Sequence, residues 1–230
     1  IVMSDAVADD TRRLAGADAR IEQIAHPVYK RFGTPVPRAE ARAALDLPSD
    51  APVLLFFGFV REYKGLHVLL EAMPAIAEAL PEVQLVIAGE PYDDPARYRE
   101  IIDRHGLHDR VQWHDEYIPS DEVPTYFGAA DLVVQPYVSA TQSGVAQIAT
   151  HFEVPMVLTD VGGLAEHVPH VEAGFVVPPE TPQALADAAT RFFREGWAER
   201  LTEGMREQKR RQQPARLFEA IERLISEEGS

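Results

Sequence analysis

Along the middle of the chain, short apolar runs alternate with amphipathic stretches. Residues 53–59, 84–89, 111–114, 132–137, 155–160 and 175–177 are short runs rich in apolar or β-branched residues and read as buried strands. Residues 64–80, 95–105, 121–130 and 143–152 lie between them and place apolar side chains at helical spacing. The alternation predicts an α/β fold, a Rossmann-like parallel sheet with helices on both faces. Ligands on such sheets bind beyond the carboxyl ends of the strands, so chemistry is expected in the loops at 58–65, 89–94, 115–120, 137–144 and 160–164.

The two ends of the chain follow a different pattern. Residues 1–25 read as a short strand, a helix and a further strand, and the three prolines of 26–37 mark a connector that sets a boundary near Pro37. After Pro178, residues 181–193, 197–213 and 214–228 read as helices with no strand between them, and Pro214 breaks or kinks that tail. The expected division is 1–37, a central domain over 38–196, and a helical tail over 197–230.

Composition narrows the function classes. A chain of 230 residues with 46% hydrophobic residues can bury a substantial core. Its net charge of -15 argues against duplex nucleic acid or an anionic membrane as partner. Residues 191–223 are locally richer in Lys and Arg than in Asp and Glu and read as a solvated helical face. The longest apolar run, 53–60, contains Gly58 and falls far short of the roughly 18 residues needed to span a bilayer, so no transmembrane segment is expected. The absence of cysteine excludes disulfides, thiolate zinc sites and iron–sulfur clusters, and fits a cytoplasmic protein. The eight histidines show no spacing of a catalytic metal set, so no metal is expected.

Three loops carry candidate chemistry. In Gly58-Phe59-Val60-Arg61-Glu62-Tyr63-Lys64-Gly65, Arg61 and Lys64 bring positive charge to a helix N-terminus that is already partly positive. A bound anion would remove that conflict; solvated side chains and a turn glycine are the alternative. The second loop, Pro136 to Gly144, has the hydroxyls of Thr141 and Ser143 on either side of Gln142, with small residues that leave the N–H groups of Gly144 and Val145 open to an anion. An ordinary N-cap at Thr141 or Ser143 explains the same residues. Two candidate anion sites at strand ends of one sheet suit a diphosphate. In the third loop, Gly162 and Gly163 between Thr159 and Glu166 permit a tight turn or a close approach.

The order and spacing of these loops, with Val86-Ile87-Ala88-Gly89-Glu90 between the first two, resemble the C-terminal, donor-binding domain of retaining GT-B glycosyltransferases of family 4, the group 1 family. Thr159-Asp160-Val161-Gly162-Gly163-Leu164-Ala165-Glu166 is the most specific match, and the resemblance runs from about residue 4 to about 178. It implies that Lys64 and a nearby Arg hold the donor's phosphates. The family's Arg directly follows the first glycine, where this chain has Phe59, so Arg61 would take that role. Asp115-Glu116-Tyr117-Ile118-Pro119 resembles the family's nucleobase segment, which makes Tyr117 and Ile118 nucleobase candidates. Two family glutamates fall on Ala140 and Ile148, leaving Gln147 as the substitute at the ribose. Gly58, Gly65, Thr141, Gln142, Gly162, Gly163 and Glu166 are expected to support the loops, and no catalytic residue is named.

What the resemblance implies for function is transfer of a sugar from a UDP-, GDP- or ADP-sugar to an acceptor with retention, with no permanently bound cofactor or metal. The acceptor side belongs in the family to an N-terminal domain, which would have to come from the same native chain or a separate subunit. Residues 1–25 resemble only the end of that domain, with 26–37 as the connector, and the helices after Trp197 usually pack back on it, so their apolar face is expected to be exposed here. Two other classes remain open: a non-catalytic nucleotide-sugar-binding or interaction subunit, and half of a nucleotide-sugar epimerase.

Overall fold

The computed structural model describes residues 2, 5–16, 21, 32–140, 142–165 and 168–212. Six strands, β1 (Val53–Phe57), β2 (Gln84–Ala88), β3 (Val111–His114), β4 (Leu132–Gln135), β5 (Met156–Thr159) and β6 (Gly174–Val177), form one sheet in the order β3-β2-β1-β4-β5-β6. Every neighbouring pair is parallel. All six expected strands are present, and the sheet is the doubly wound type whose chain reverses direction between β1 and β4.

Eight helices among the described residues connect or flank them: α1 (Asp5–Ala15), α2 (Arg38–Ala44), α3 (Leu66–Ala79), α4 (Ala96–His105), α5 (Val123–Ala129), α6 (Gly144–Phe152), α7 (Pro182–Arg194) and α8 (Ala198–Arg211). The pleat of β1 divides the core in two. Val53, Leu55 and Phe57 pack with residues of α5 and α6, whereas Leu54 and Phe56 pack with residues of α3, α4 and α7. Both faces of the sheet are therefore covered, as continuous apolar strands require.

Helix α2 is the element that the apolar pattern does not announce. Its seven residues alternate Arg, Ala and Glu, yet Arg42 is 1% exposed. The guanidinium donates to the carbonyls of Ala129, Ser49 and Ala51 and pairs with Asp131 at 2.8 Å. The same Asp131 oxygen accepts the Val53 N–H at 2.8 Å, so one buried ion pair ties α2 to the starts of β1 and β4. A buried charge of this kind persists only because partners satisfy it on every side.

The tail departs from its expected exposure. Leu201 and Met205 of α8 are fully buried, and they belong to the two core clusters rather than to an uncovered apolar face. The outer side of α8 carries Arg206–Glu203, Arg210–Glu207 and Arg211–Glu207 pairs, which is the solvated basic face read from the sequence. The expected strands within 1–25, most of the connector 26–37 and the helix at 214–228 lie outside the described residues.

The sheet is finished at its carboxyl edge by a contact between loops. Lys64 ends a single 3-10 turn, Glu62–Lys64, and Gly65 follows in the left-handed conformation with φ 70°. A Cβ on Gly65 would lie 1.9 Å from the carbonyl oxygen of Pro136. Next to it, the Val138 N–H donates to the Tyr63 carbonyl at 2.7 Å. Gly65→Ala combines a strained φ with a backbone collision, and it is expected to destabilise the protein by about 3 kcal/mol or more. Urea unfolding checks this against Gly144→Ala, whose added methyl meets nothing within 4 Å and is expected to be near neutral.

Candidate functional site

Four of the five expected strand-end loops close around one crevice of about 380 Å³ at the carboxyl edge of the sheet. Its walls include Gly58, Phe59 and Lys64 from the β1 loop, Gly89 and Glu90 after β2, Tyr117, Ile118 and Ser120 after β3, and Tyr137, Gln142, Ser143, Gly144 and Val145 between β4 and α6. It sits where the strand order reverses, the position at which doubly wound sheets leave a gap between loops.

Gly58 is the meeting point of the two halves. With φ 91°, the place a Cβ would occupy lies 3.0 Å from Lys64 Nζ and 3.4 Å from Val145 Cγ2. Lys64 is thereby laid along the β1 turn toward the first turn of α6. It is 9% exposed, its ammonium lies 5.8 Å from the centre of the Tyr137 ring, and among the described residues no carboxylate forms an ion pair with it. Burial, and then the nearby charge of Arg61, push its pKa down to about 8.

Ser143 is the N-cap of α6. Its hydroxyl accepts the Ala146 N–H at 3.3 Å, donates to the Gln135 side-chain oxygen at 2.8 Å and lies 3.3 Å from the Tyr137 hydroxyl. The capping alternative therefore describes the side chain. What α6 offers the crevice is the exposed backbone of Gly144 and the N–H groups of its first turn, which have no intrahelical acceptor. Burial drives the Tyr137 hydroxyl up to about 12, so it stays protonated at neutral pH. The Thr159 hydroxyl donates to the Tyr137 carbonyl at 2.5 Å and braces this loop from β5.

The remaining expected site residues divide. Tyr117 and Ile118 line the crevice, Tyr117 with its ring largely exposed. Arg61 does not: it is exposed at the rim, with its guanidinium 4.5 Å from the centre of the Tyr92 ring, and its effect on the crevice is the electrostatic one felt by Lys64. Gln147 also departs from its assignment. It is 1% exposed and is no part of the crevice wall, where the next residue, Ile148, stands instead. Helical geometry explains this, because one residue is a rotation of about 100°. Gly162 and Gly163 form the turn after β5 and are not part of the crevice wall, and Thr141 and Glu166 lie outside the described residues.

Sequence reasoning missed Phe59, Glu90 and Tyr137 as wall residues. Each lies within two residues of the last of its strand, and that proximity alone was available as a signal. Phe59 packs edge-on to Tyr92 with ring centres 4.8 Å apart and lies 6.4 Å from Tyr117, so aromatic rings run along the rim from β3 to β2. Among the described residues no group of His, Asp and Glu is arranged to hold a metal ion, and no helix is long and apolar enough to cross a membrane.

Comparison with known proteins places this geometry in context. The profile of the family described as Glycosyl transferases group 1 matches residues 51–195. A D-inositol 3-phosphate glycosyltransferase of Corynebacterium urealyticum is 32% identical over 162 residues, covering 68% of this chain and 38% of that protein. Sucrose-phosphate synthase from Thermosynechococcus elongatus superposes with a TM-score of 0.80 at 27% identity, over 98% of this chain and 57% of that one. Anabaena Alr3699/HepE, solved in complex with UDP, superposes with a TM-score of 0.83 at 20% identity, over 98% of this chain and 63% of that one. The chain spans between 38% and 50% of the length of the first curated relatives that it matches.

The Lys64 charge gives the crevice a pH signature. In the folded protein the group is held down to about 8, against 10.5 for an ordinary lysine, so between these the unfolded chain binds more protons, and the stability contributed by this group rises with pH. Anion binding runs the other way, because only the protonated ammonium attracts the ligand. Affinity for inorganic pyrophosphate is expected to fall as pH rises past about 8, with net proton uptake on binding above that pH. Calorimetric titration in buffers of different ionisation enthalpy measures both; affinity independent of pH from 7 to 10 would contradict the assignment.

Proposed function

The chain belongs to the glycosyl transferases group 1 family, and on that premise we propose that it is the donor-binding half of a retaining family 4 glycosyltransferase of GT-B fold. It binds a nucleoside diphosphate sugar in the crevice at the β1/β4 reversal. The acceptor-binding half lies outside these residues, on the same polypeptide or a second one. The observation that carries this reading is the buried, unpaired ammonium of Lys64 packed at Gly58 beside the first turn of α6. A buried cation without a carboxylate is costly, and a diphosphate supplies the missing charge.

The chemistry follows from the same placement. Cleaving the bond between sugar and diphosphate loads negative charge onto the leaving group. Lys64 and the α6 N–H groups stand where that charge grows, and fixed donors of this kind favour the transition state over the ground state. Anabaena Alr3699/HepE, which shares the fold, is solved in complex with UDP, and that supports a nucleotide as the ligand. Tyr117 and Ile118, across the crevice from α6, face the base.

Lys64→Ala is expected to weaken binding of UDP, GDP or ADP by about tenfold or more and to change binding of the matching nucleoside much less. Calorimetry with each diphosphate beside its nucleoside measures the effect and identifies the base. Equal affinity of both proteins for every diphosphate, or no binding at millimolar concentration, would remove the donor-site reading. In the same preparation the 230-residue chain alone is expected to transfer no sugar, and turnover without an added partner would contradict the half-enzyme assignment.

A further inference from the structure

Glu90 is the one acidic residue among the described residues lining the crevice, as Lys64 is the one cation. It lies two residues beyond β2, on the side of the crevice away from α6. Its side chain is exposed and makes no ion pair or hydrogen bond among the described residues. A carboxylate there repels a diphosphate and so has no use as a phosphate ligand. What a carboxylate in this wall can meet is a part of the ligand that donates hydrogen bonds.

The backbone beneath it is held firmly. The Val60 N–H donates to the Glu90 carbonyl at 2.9 Å, the Tyr92 N–H donates to the Val60 carbonyl at 2.9 Å, and Val60 bridges to Pro91. The strand-end loops of β1 and β2 are thus joined on either side of Glu90, which fixes where the side chain emerges. In βαβ nucleotide-binding units, an acidic residue roughly 20 residues beyond the glycine-bearing turn accepts hydrogen bonds from the ribose hydroxyls. Glu90 follows Gly65 by 25 residues, in the unit β1–α3–β2.

We propose that Glu90 reads the ribose of the nucleotide, its two carboxylate oxygens accepting from the 2′- and 3′-hydroxyls. This rests on the donor-site reading above and assigns the nucleoside end of the same ligand. With Lys64 at β1 and Glu90 at β2, the crevice is polarised: phosphates lie toward α6, and the ribose lies across β1 and β2. Gln147, expected from the sequence to meet the ribose, is buried and is not part of the crevice wall.

The test compares UDP with 2′,3′-dideoxyuridine diphosphate, alongside the guanosine and adenosine pairs, by calorimetric titration of wild type, Glu90→Gln and Glu90→Ala. The wild type is expected to bind the ribose form of the preferred diphosphate about tenfold tighter than its dideoxy form. Glu90→Ala is expected to close that gap by losing affinity for the ribose form alone, while Glu90→Gln, which keeps one acceptor oxygen, retains part of it. Glu90 is exposed, so both variants should fold with unchanged thermal midpoints. A gap that survives in Glu90→Ala, an equal loss for both forms, or tighter binding on removing the carboxylate overturns the proposal. Absence of any diphosphate binding by wild type overturns the donor-site reading, and the ribose assignment with it.

Discussion

The site depends on a backbone contact. Where the parallel sheet reverses its winding, two loops leave adjacent strands on opposite sides, and nothing in the fold class requires them to touch. In this chain they do, because Gly65 has no side chain to hold its backbone away from the Pro136 carbonyl, and because Tyr63 and Val138 share a hydrogen bond of 2.7 Å. That junction carries Lys64 into the crevice and sets it beside the first turn of α6. The demand at Gly65 is both conformational, a left-handed backbone, and steric, the approach to Pro136, so the position tolerates almost no substitution.

Electrostatics then decide what the crevice can hold. A single buried ammonium, pushed down to about 8 by desolvation and by Arg61, is poised between charged and neutral near physiological pH. Such a group gains most from an anionic ligand, because binding restores the charge that burial has made costly. The hydroxyls of Ser143 and Tyr137 are committed to Gln135, to the α6 cap and to each other, so what α6 itself adds beside Lys64 is the backbone N–H groups of its first turn. The aromatic rim of Phe59, Tyr92 and Tyr117 frames this polar floor with flat apolar surface.

Much of this was legible in the sequence, for identifiable reasons. Most of the strands announce themselves because strands buried on both faces are apolar nearly throughout, while the edge strand β3, Val-Gln-Trp-His, is only half-buried; α3 to α7 show because each buries one face. Gly58, Lys64 and Gly144 could be picked out as crevice residues because they fall in loops at the carboxyl ends of parallel strands, although a turn glycine, a solvated cation and an N-cap explain the same residues one loop at a time. Helix α2 was hidden because its anchor is a buried arginine, and the pairing that permits this lies 89 positions away at Asp131. The orientations of Arg61 and Gln147 were equally hidden. Whether a loop arginine turns to a crevice or to a tyrosine ring, and which of two adjacent helix residues faces outward, are fixed by packing across elements rather than by spacing along the chain.

The central claim is that two loops some 80 positions apart form one anion site at the carboxyl edge of the sheet. Amide chemical-shift mapping of the isotopically labelled chain during titration with inorganic pyrophosphate tests it directly. The account predicts that the largest perturbations fall together on Gly58, Lys64, Gly65, Gly144 and Val145, with a common dissociation constant. Perturbations confined to one loop, or centred on the opposite edge of the sheet around Arg38 and Asp131, would contradict it.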